Sequence, residues 1–196
     1  MEVYTLHDEV VGKHPHQIMV FDNVLTAEQC QAIVQKFEED KTKFTGTCGG
    51  HQLRLDIKQT TDLYLRPDQG WAEELKLMSQ AMLPKIMQYR DVYNQLETIN
   101  MVHTGLQIQR SEVGQFYTTH IDDDTRDGYH RIVATLLYLS DVEEGGETHF
   151  TQHGVQVKPK AGRLVLFPSK WTHPHEAKKV LKGTKYIAVG WLQPAP

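Results

Sequence analysis

The hydrophobic period of this chain changes near residue 101, and that change restricts the possible folds more than any other feature of the sequence. Upstream, Thr26-Ala-Glu-Gln29 reads as a capping box, and Cys30, Ile33, Val34 and Phe37 follow at i, i+3, i+4 and i+7. Such a stripe docks a helix of about three turns on a sheet. A second helix is expected after Asp68, where Trp71, Leu75, Met78, Met82, Ile86 and Tyr89 keep helical spacing and Pro84 predicts a kink or a break. Downstream the segments are short and β-prone: Leu106–Gln109, Ile132–Leu139, Val155–Val157, Leu164–Phe167 and Tyr186–Trp191. Turn signals at Asp127-Gly128, Gly145-Gly146, His153-Gly154, Ala161-Gly162 and Lys182-Gly183 separate them. The expected fold is α+β, mainly β: a double-stranded β-helix (jelly roll) core buttressed by N-terminal helices. One domain over 1–196 suffices, with helical support in about 1–100 and the core in about 101–193, and residues 18–22 and 53–64 are expected to add strands.

Bulk properties remove several classes of function. A formal net charge of −4 argues against a general nucleic-acid binder, which needs a basic field. No apolar run approaches the ~20 residues of a membrane span, and the N-terminal stretch lacks a signal-peptide core. With two cysteines, Cys30 and Cys48, the chain reads as a cytoplasmic protein of a reducing compartment rather than a disulfide scaffold. Eleven histidines are the one compositional pointer to metal chemistry.

The chemistry-bearing pattern is His120-Ile-Asp122. On a strand, residues i and i+2 share a face, so both side chains can reach one ion. A second, distant histidine would complete a two-histidine, one-carboxylate set that leaves positions open for a chelating co-substrate and O2. Trp171-Thr-His173-Pro-His175 offers two candidates, and His175 has a cation, Lys185, ten residues further on. A lysine at the far end of the pocket would pair with a dicarboxylate whose other end chelates the metal, which makes burial of the ammonium tolerable.

Five ordered blocks then carry a family resemblance: Tyr117-Thr-Thr-His120-Ile-Asp122; Arg131-Ile-Val-Ala-Thr-Leu-Leu-Tyr138-Leu139; Gly145-Gly-Glu-Thr148-His-Phe150; Pro159-Lys-Ala-Gly162-Arg-Leu-Val-Leu-Phe167; and His175…Lys185…Trp191. Together they resemble the prolyl 4-hydroxylase branch of the 2-oxoglutarate/Fe(II) oxygenases, in detail over roughly 104–193. The resemblance implies that His120, Asp122 and His175 bind Fe(II), that Lys185 binds the distal carboxylate of 2-oxoglutarate with Thr148 assisting, and that Tyr117, Arg131 and Trp191 line the substrate side. It implies hydroxylation of an unactivated C–H bond, best guessed as a prolyl residue in a peptide or protein, with O2 consumed, succinate and CO2 released, and ascorbate as reductant. Another residue or a free small molecule is the alternative substrate, and a non-catalytic jelly-roll binding module or a cupin-like metal enzyme the alternative class. One departure stands out: Ser111 occupies the position, nine residues before His120, where relatives often carry a tyrosine that helps hold the co-substrate.

Other residues have plainer expectations. Asp123 and Asp124 extend an acidic run into a solvated turn or substrate-facing loop, and His149 and His153 are not expected to form a zinc pair. His103 and His130 read as surface or hydrogen-bonded histidines, and Trp71 and Trp171 as packing residues. The segment Lys41–Thr60, around Cys48-Gly-Gly-His51, is a candidate lid with an ordinary exposed connection as its other reading.

Overall fold

The structure, a computed structural model, describes residues 4–48, 52–123 and 130–196. The Asp127-Gly128 turn, Asp124 and the Gly49-Gly50-His51 part of the candidate lid lie outside these residues.

Two helices form where the spacing places them. Helix α1 (Ala27–Glu39) is closed by the Thr26/Gln29 capping box, with both reciprocal hydrogen bonds present, and it buries Cys30, Ile33 and Phe37. A cap of this kind contributes about 1 kcal/mol. Helix α2 (Ala72–Val92) buries Met78, Met82, Ile86 and Tyr89 and starts after a single 3-10 turn at Pro67–Gln69 rather than directly at Asp68. Of the kink or break expected at Pro84, the break does not occur, since α2 runs through it. Pro84 and Gln80, whose carbonyl loses its helical partner, both face solvent, so water can replace the missing bond while the buried stripe holds the helix together.

Among the described residues there are fifteen strands: β1 (Tyr4–Leu6), β2 (Met19–Phe21), β3 (Phe44–Thr45), β4 (Thr61–Tyr64), β5 (Met101–His103), β6 (Gln107–Ser111), β7 (Tyr117–His120), β8 (Val133–Tyr138), β9 (Glu144–Gly145), β10 (Thr148–Phe150), β11 (Val155–Val157), β12 (Leu164–Pro168), β13 (His175–Ala177), β14 (Val180–Lys182) and β15 (Lys185–Pro194). The larger sheet has the order β2-β12-β8-β15-β6-β4-β3, with β5 also paired to β15, and the smaller one the order β1-β11-β10-β13-β7. Strands β14 and β9 form a separate hairpin-like pair. The jelly roll is thus two facing sheets with helices behind the larger one.

Strand alternation explains the layering. On β12, Leu164 and Leu166 join the helix-side core with Ile33, Phe37, Met78 and Met82, while Val165 and Phe167 turn into the space between the sheets. Strand β8 is buried on both faces, which is why its sequence reads as a continuous apolar run. Truncating Phe37, which is wholly buried, to alanine removes about 3–5 kcal/mol and with it the dock of α1.

One further expectation holds only in part, and another fails. Only the end of 53–64 becomes a β4 rung: residues 55–57 form a turn, with Arg54 bonded to Asp56. Trp171 is no packing residue, being 73% exposed on the turn between β12 and β13, whereas Trp71 is buried. A strand alternates its side chains between two faces, but the chain leaves the sheet at Ser169, and the turn carries the indole away from the core.

Candidate active site

Register brings the two histidines together. Strands β7 and β13 are antiparallel neighbours, and His120 lies directly opposite His175. Asp122 follows in the loop just past the end of β7 rather than on the strand itself, and the chain still carries it back to the pair. Each imidazole donates its Nδ1–H to the carbonyl two residues upstream, His120 to Thr118 at 2.8 Å and His175 to His173 at 3.0 Å. A carbonyl can only accept, so both rings are held in the tautomer that leaves the Nε2 lone pair free. Those two Nε2 atoms stand 3.7 Å from the two oxygens of Asp122, one oxygen each, and the three ligand atoms lie within 4.8 Å of one another. The separations exceed a hydrogen bond, and the space between them suits a divalent ion bound by two nitrogens and one carboxylate oxygen. Burial, reinforced by His175, pushes His120 down to about 4, so the neutral form that a metal requires is the one present.

His173 is settled otherwise. Its Nε2 bonds to the His16 carbonyl at 2.8 Å and its Nδ1 to Thr172 at 2.9 Å, so neither nitrogen is free.

Lys185 opens β15, opposite Ser111 on β6. Its ammonium is buried and donates to the Gly146 carbonyl at 2.9 Å. Among the described residues no carboxylate comes within 4.0 Å of it, and burial pushes it down to about 8. The cross-strand hydroxyl of Ser111 sits where a larger side chain would narrow the space around that cation. Thr148 is bonded through Oγ1 to the buried Tyr138 hydroxyl at 2.6 Å, a partner not foreseen from the sequence.

All eight expected residues, Tyr117, His120, Asp122, Arg131, Thr148, His175, Lys185 and Trp191, line one cavity of about 960 Å³. Tyr117 stacks on His120 with ring centroids 3.6 Å apart. Arg131 stacks on Trp191 at 3.6 Å and donates to the Asp122 carbonyl at 3.1 Å, a cation–π contact rather than an ion pair. Asp123, expected in a solvated turn or substrate-facing loop, lies in a loop on the cavity wall, held by Lys170 at 3.0 Å and by His130 at 3.4 Å. His149 pairs with Glu176, and His153 with a backbone carbonyl.

The sequence reading missed one buried polar group on the cavity wall. Lys58 binds Asp62 at 2.6 Å, and Gln107 donates to the same oxygen at 2.6 Å. Residues 57–59 run beside β7, with Thr118 donating to Ile57 and Gln59 to Phe116, while Asp62 belongs to the other sheet. This ion pair therefore clasps the two sheets. The polar alternation Lys58, Thr60, Asp62, Tyr64, Arg66 was the available signal.

Fold and donor set are those expected of the oxygenases that couple Fe(II) to 2-oxoglutarate. The pattern of the 2OG-Fe(II) oxygenase superfamily matches residues 106–193. Probable prolyl 4-hydroxylase 9 of Arabidopsis thaliana is 28% identical over 95% of this chain and 74% of its own length. Two solved structures share the fold. The viral collagen prolyl hydroxylase of Paramecium Bursaria Chlorella virus-1, in its 2-oxoglutarate complex, is 19% identical with a TM-score of 0.72, over 92% of this chain and 98% of that one. The Trichoplax adhaerens prolyl hydroxylase, in complex with a hypoxia-inducible-factor peptide fragment, is 21% identical with a TM-score of 0.77, over 91% and 84%. Residues 106–193 thus match the 2OG-Fe(II) oxygenase superfamily, and the chain is similar to prolyl 4-hydroxylases over nearly its whole length, the likeness expected of a 2-oxoglutarate-dependent dioxygenase.

Proposed function

We propose that the chain hydroxylates a prolyl residue in a peptide or protein, with Fe(II) held by His120, Asp122 and His175 and the far carboxylate of 2-oxoglutarate held by Lys185. The observation that carries this reading is the pairing, in one cavity, of three converging ligand atoms with a buried ammonium that, among the described residues, has no carboxylate within 4.0 Å. A non-catalytic module has no use for that cation, whereas a bound diacid neutralises it. When bound, the iron supplies the oxidising step that turns O2 and 2-oxoglutarate into succinate, CO2 and a hydroxylated product.

The chain's own residues position and shield. Backbone carbonyls fix the two imidazoles, and Tyr117 covers the outer face of His120. Thr148, oriented by its bond to the Tyr138 hydroxyl, presents a hydroxyl on the same cavity wall as Lys185 that can take a second oxygen of the carboxylate. Tyr117, Arg131 and Trp191 form the wall against which the prime substrate is laid. Ascorbate is the reductant that keeps the iron ferrous, and the two free cysteines fit a cytoplasmic location.

The test is a set of proline-containing peptides incubated with the protein, Fe(II), ascorbate and 2-oxoglutarate, with succinate and peptide hydroxylation measured together. Hydroxyproline formed in step with succinate, and lost in His120→Ala and His175→Ala, is the expected result. Succinate formed with hydroxylation at another residue would replace the substrate, and neither product with iron present would sink the enzyme reading.

A further inference from the structure

Three adjacent strands, β4, β6 and β15, turn alternate side chains into the cavity, and their register orders those side chains into rungs. The first rung is Lys185 and Ser111. The second is Ile187, Gln109 and Asp62, and the third Val189, Gln107 and Tyr64. One step further come Trp191 and Arg66, since Leu65 donates to the Leu106 carbonyl and Thr104 to that of Trp191. At about 3.3 Å per residue this floor extends roughly 20 Å from Lys185 to Trp191, far more than a short diacid and one metal ion fill.

Charge is distributed unevenly along it. Near the closed end the charged groups all have a use: Lys58 is neutralised by Asp62, Lys185 awaits the diacid, and Asp122 faces the two histidines. At the open end, Asp123 is neutralised by Lys170. Arg66 and Arg131 remain, and among the described residues neither has a carboxylate within 4.0 Å. Two guanidiniums with no carboxylate within 4.0 Å among the described residues, at the mouth of a chain of net charge −4, are a local feature, not a reflection of composition. Arg131 is already oriented by its stack on Trp191, and the exposed ring of Tyr64 is fixed by stacking on Phe44 at 5.2 Å. Pre-set guanidiniums beside aromatic faces suit a carboxylate carried on an extended chain.

We infer that the substrate is an acidic peptide: Arg66, with Arg131, selects an Asp or Glu side chain flanking the target residue while Tyr64 and Trp191 support the intervening chain. This rests on the peptide reading above and adds to it a charge requirement and a specificity-determining residue, Arg66. Being on the surface and outside any strand, Arg66 can be replaced without disturbing the core.

The test compares three peptides that differ only in the residues around one proline, carrying Glu, Gln or Lys. Hydroxylation gives kcat/KM, and fluorescence anisotropy of labelled peptides at low and high salt gives binding. The wild type should favour the Glu peptide over the Gln peptide by about threefold to tenfold, in both measurements, with the preference shrinking in salt. Arg66→Ala should bring that ratio close to unity, Arg66→Lys should retain most of it, and Arg66→Glu should shift preference toward the Lys peptide. Equal use of the three peptides by the wild type, or a full preference surviving in Arg66→Ala, overturns the inference while leaving prolyl hydroxylation intact. If no peptide is bound or hydroxylated although 2-oxoglutarate is consumed, the peptide reading fails and the charge requirement with it.

Discussion

Replacing Lys185 with methionine should make the ligand-free protein more stable and the co-substrate complex far weaker. The ammonium is buried against the Gly146 carbonyl, and the displacement from 10.5 to about 8 corresponds to about 3 kcal/mol of penalty for the charged form. Methionine is close in length, removes that penalty and gives up one hydrogen bond of about 1 kcal/mol. The net expectation is a gain of about 2 kcal/mol at pH 7 without metal or 2-oxoglutarate, or a urea midpoint higher by on the order of 1 M. The sign with pH follows from the depressed value. The folded state holds fewer protons than the unfolded state between about 8 and 10.5, so wild-type stability rises through that window. The advantage of Lys185→Met should therefore be complete below about pH 8 and fade toward pH 10.5. In the same variant, 2-oxoglutarate binding should weaken by about 100-fold, because the diacid loses its buried counter-charge. A variant that is less stable at pH 7, or whose advantage is the same at pH 7 and 10.5, refutes the claim of a desolvated, unpaired cation. Unchanged 2-oxoglutarate affinity removes Lys185 from the co-substrate site.

His175→Ala should abolish tight Mn(II) binding measured by calorimetry, whereas His173→Ala should keep it and lose only about 1–2 kcal/mol of fold stability through the bond to the His16 carbonyl. Tyr117→Ala strips the stacked ring from His120 and should weaken Mn(II) binding by about threefold to tenfold in the same measurement; no change would limit Tyr117 to the substrate side. Lys58→Met leaves the Asp62 carboxylate buried without its cation and should cost about 3–5 kcal/mol in urea unfolding, and Lys58→Met with Asp62→Asn should recover most of it. Equal losses in the single and double variants would show that the pair does not clasp the sheets.

The legible parts of the molecule were those encoded over short stretches of chain. The Thr26 capping box, the apolar stripes of α1 and α2 and the β-prone runs of β8, β11 and β12 all declare themselves within a few residues, and the structure keeps them. The candidate ligands were legible for a related reason: His120 and Asp122 are two apart, and the offset from His175 to Lys185 picks one histidine from a close pair. What makes His175 available and His173 not is invisible in sequence, because it depends on the His16 carbonyl, 157 positions away. The Lys58–Asp62 clasp hides differently. Its members are only four apart, a spacing that suggests one helix face, yet Lys58 is bridged to β7 of the smaller sheet while Asp62 sits on β4 of the larger. A break at Pro84 and a packed Trp171 did not form because local preference yields to surroundings: solvent satisfies the carbonyl opposite Pro84, and a turn carries Trp171 off the core.

Strand β15 runs for ten residues without interruption and carries Lys185 at one end and Trp191 near the other. Inserting or deleting a single residue between them would turn every later side chain to the opposite face, and adding two would lengthen the floor by roughly 7 Å. Descendants of this chain are therefore constrained to diversify by exchange of side chains at alternate positions, not by changes in length. The same constraint separates the two ends of the floor in evolutionary terms: the mouth can drift toward new partners while Lys185 stays at a fixed distance, set by backbone pairing with β6 and β8.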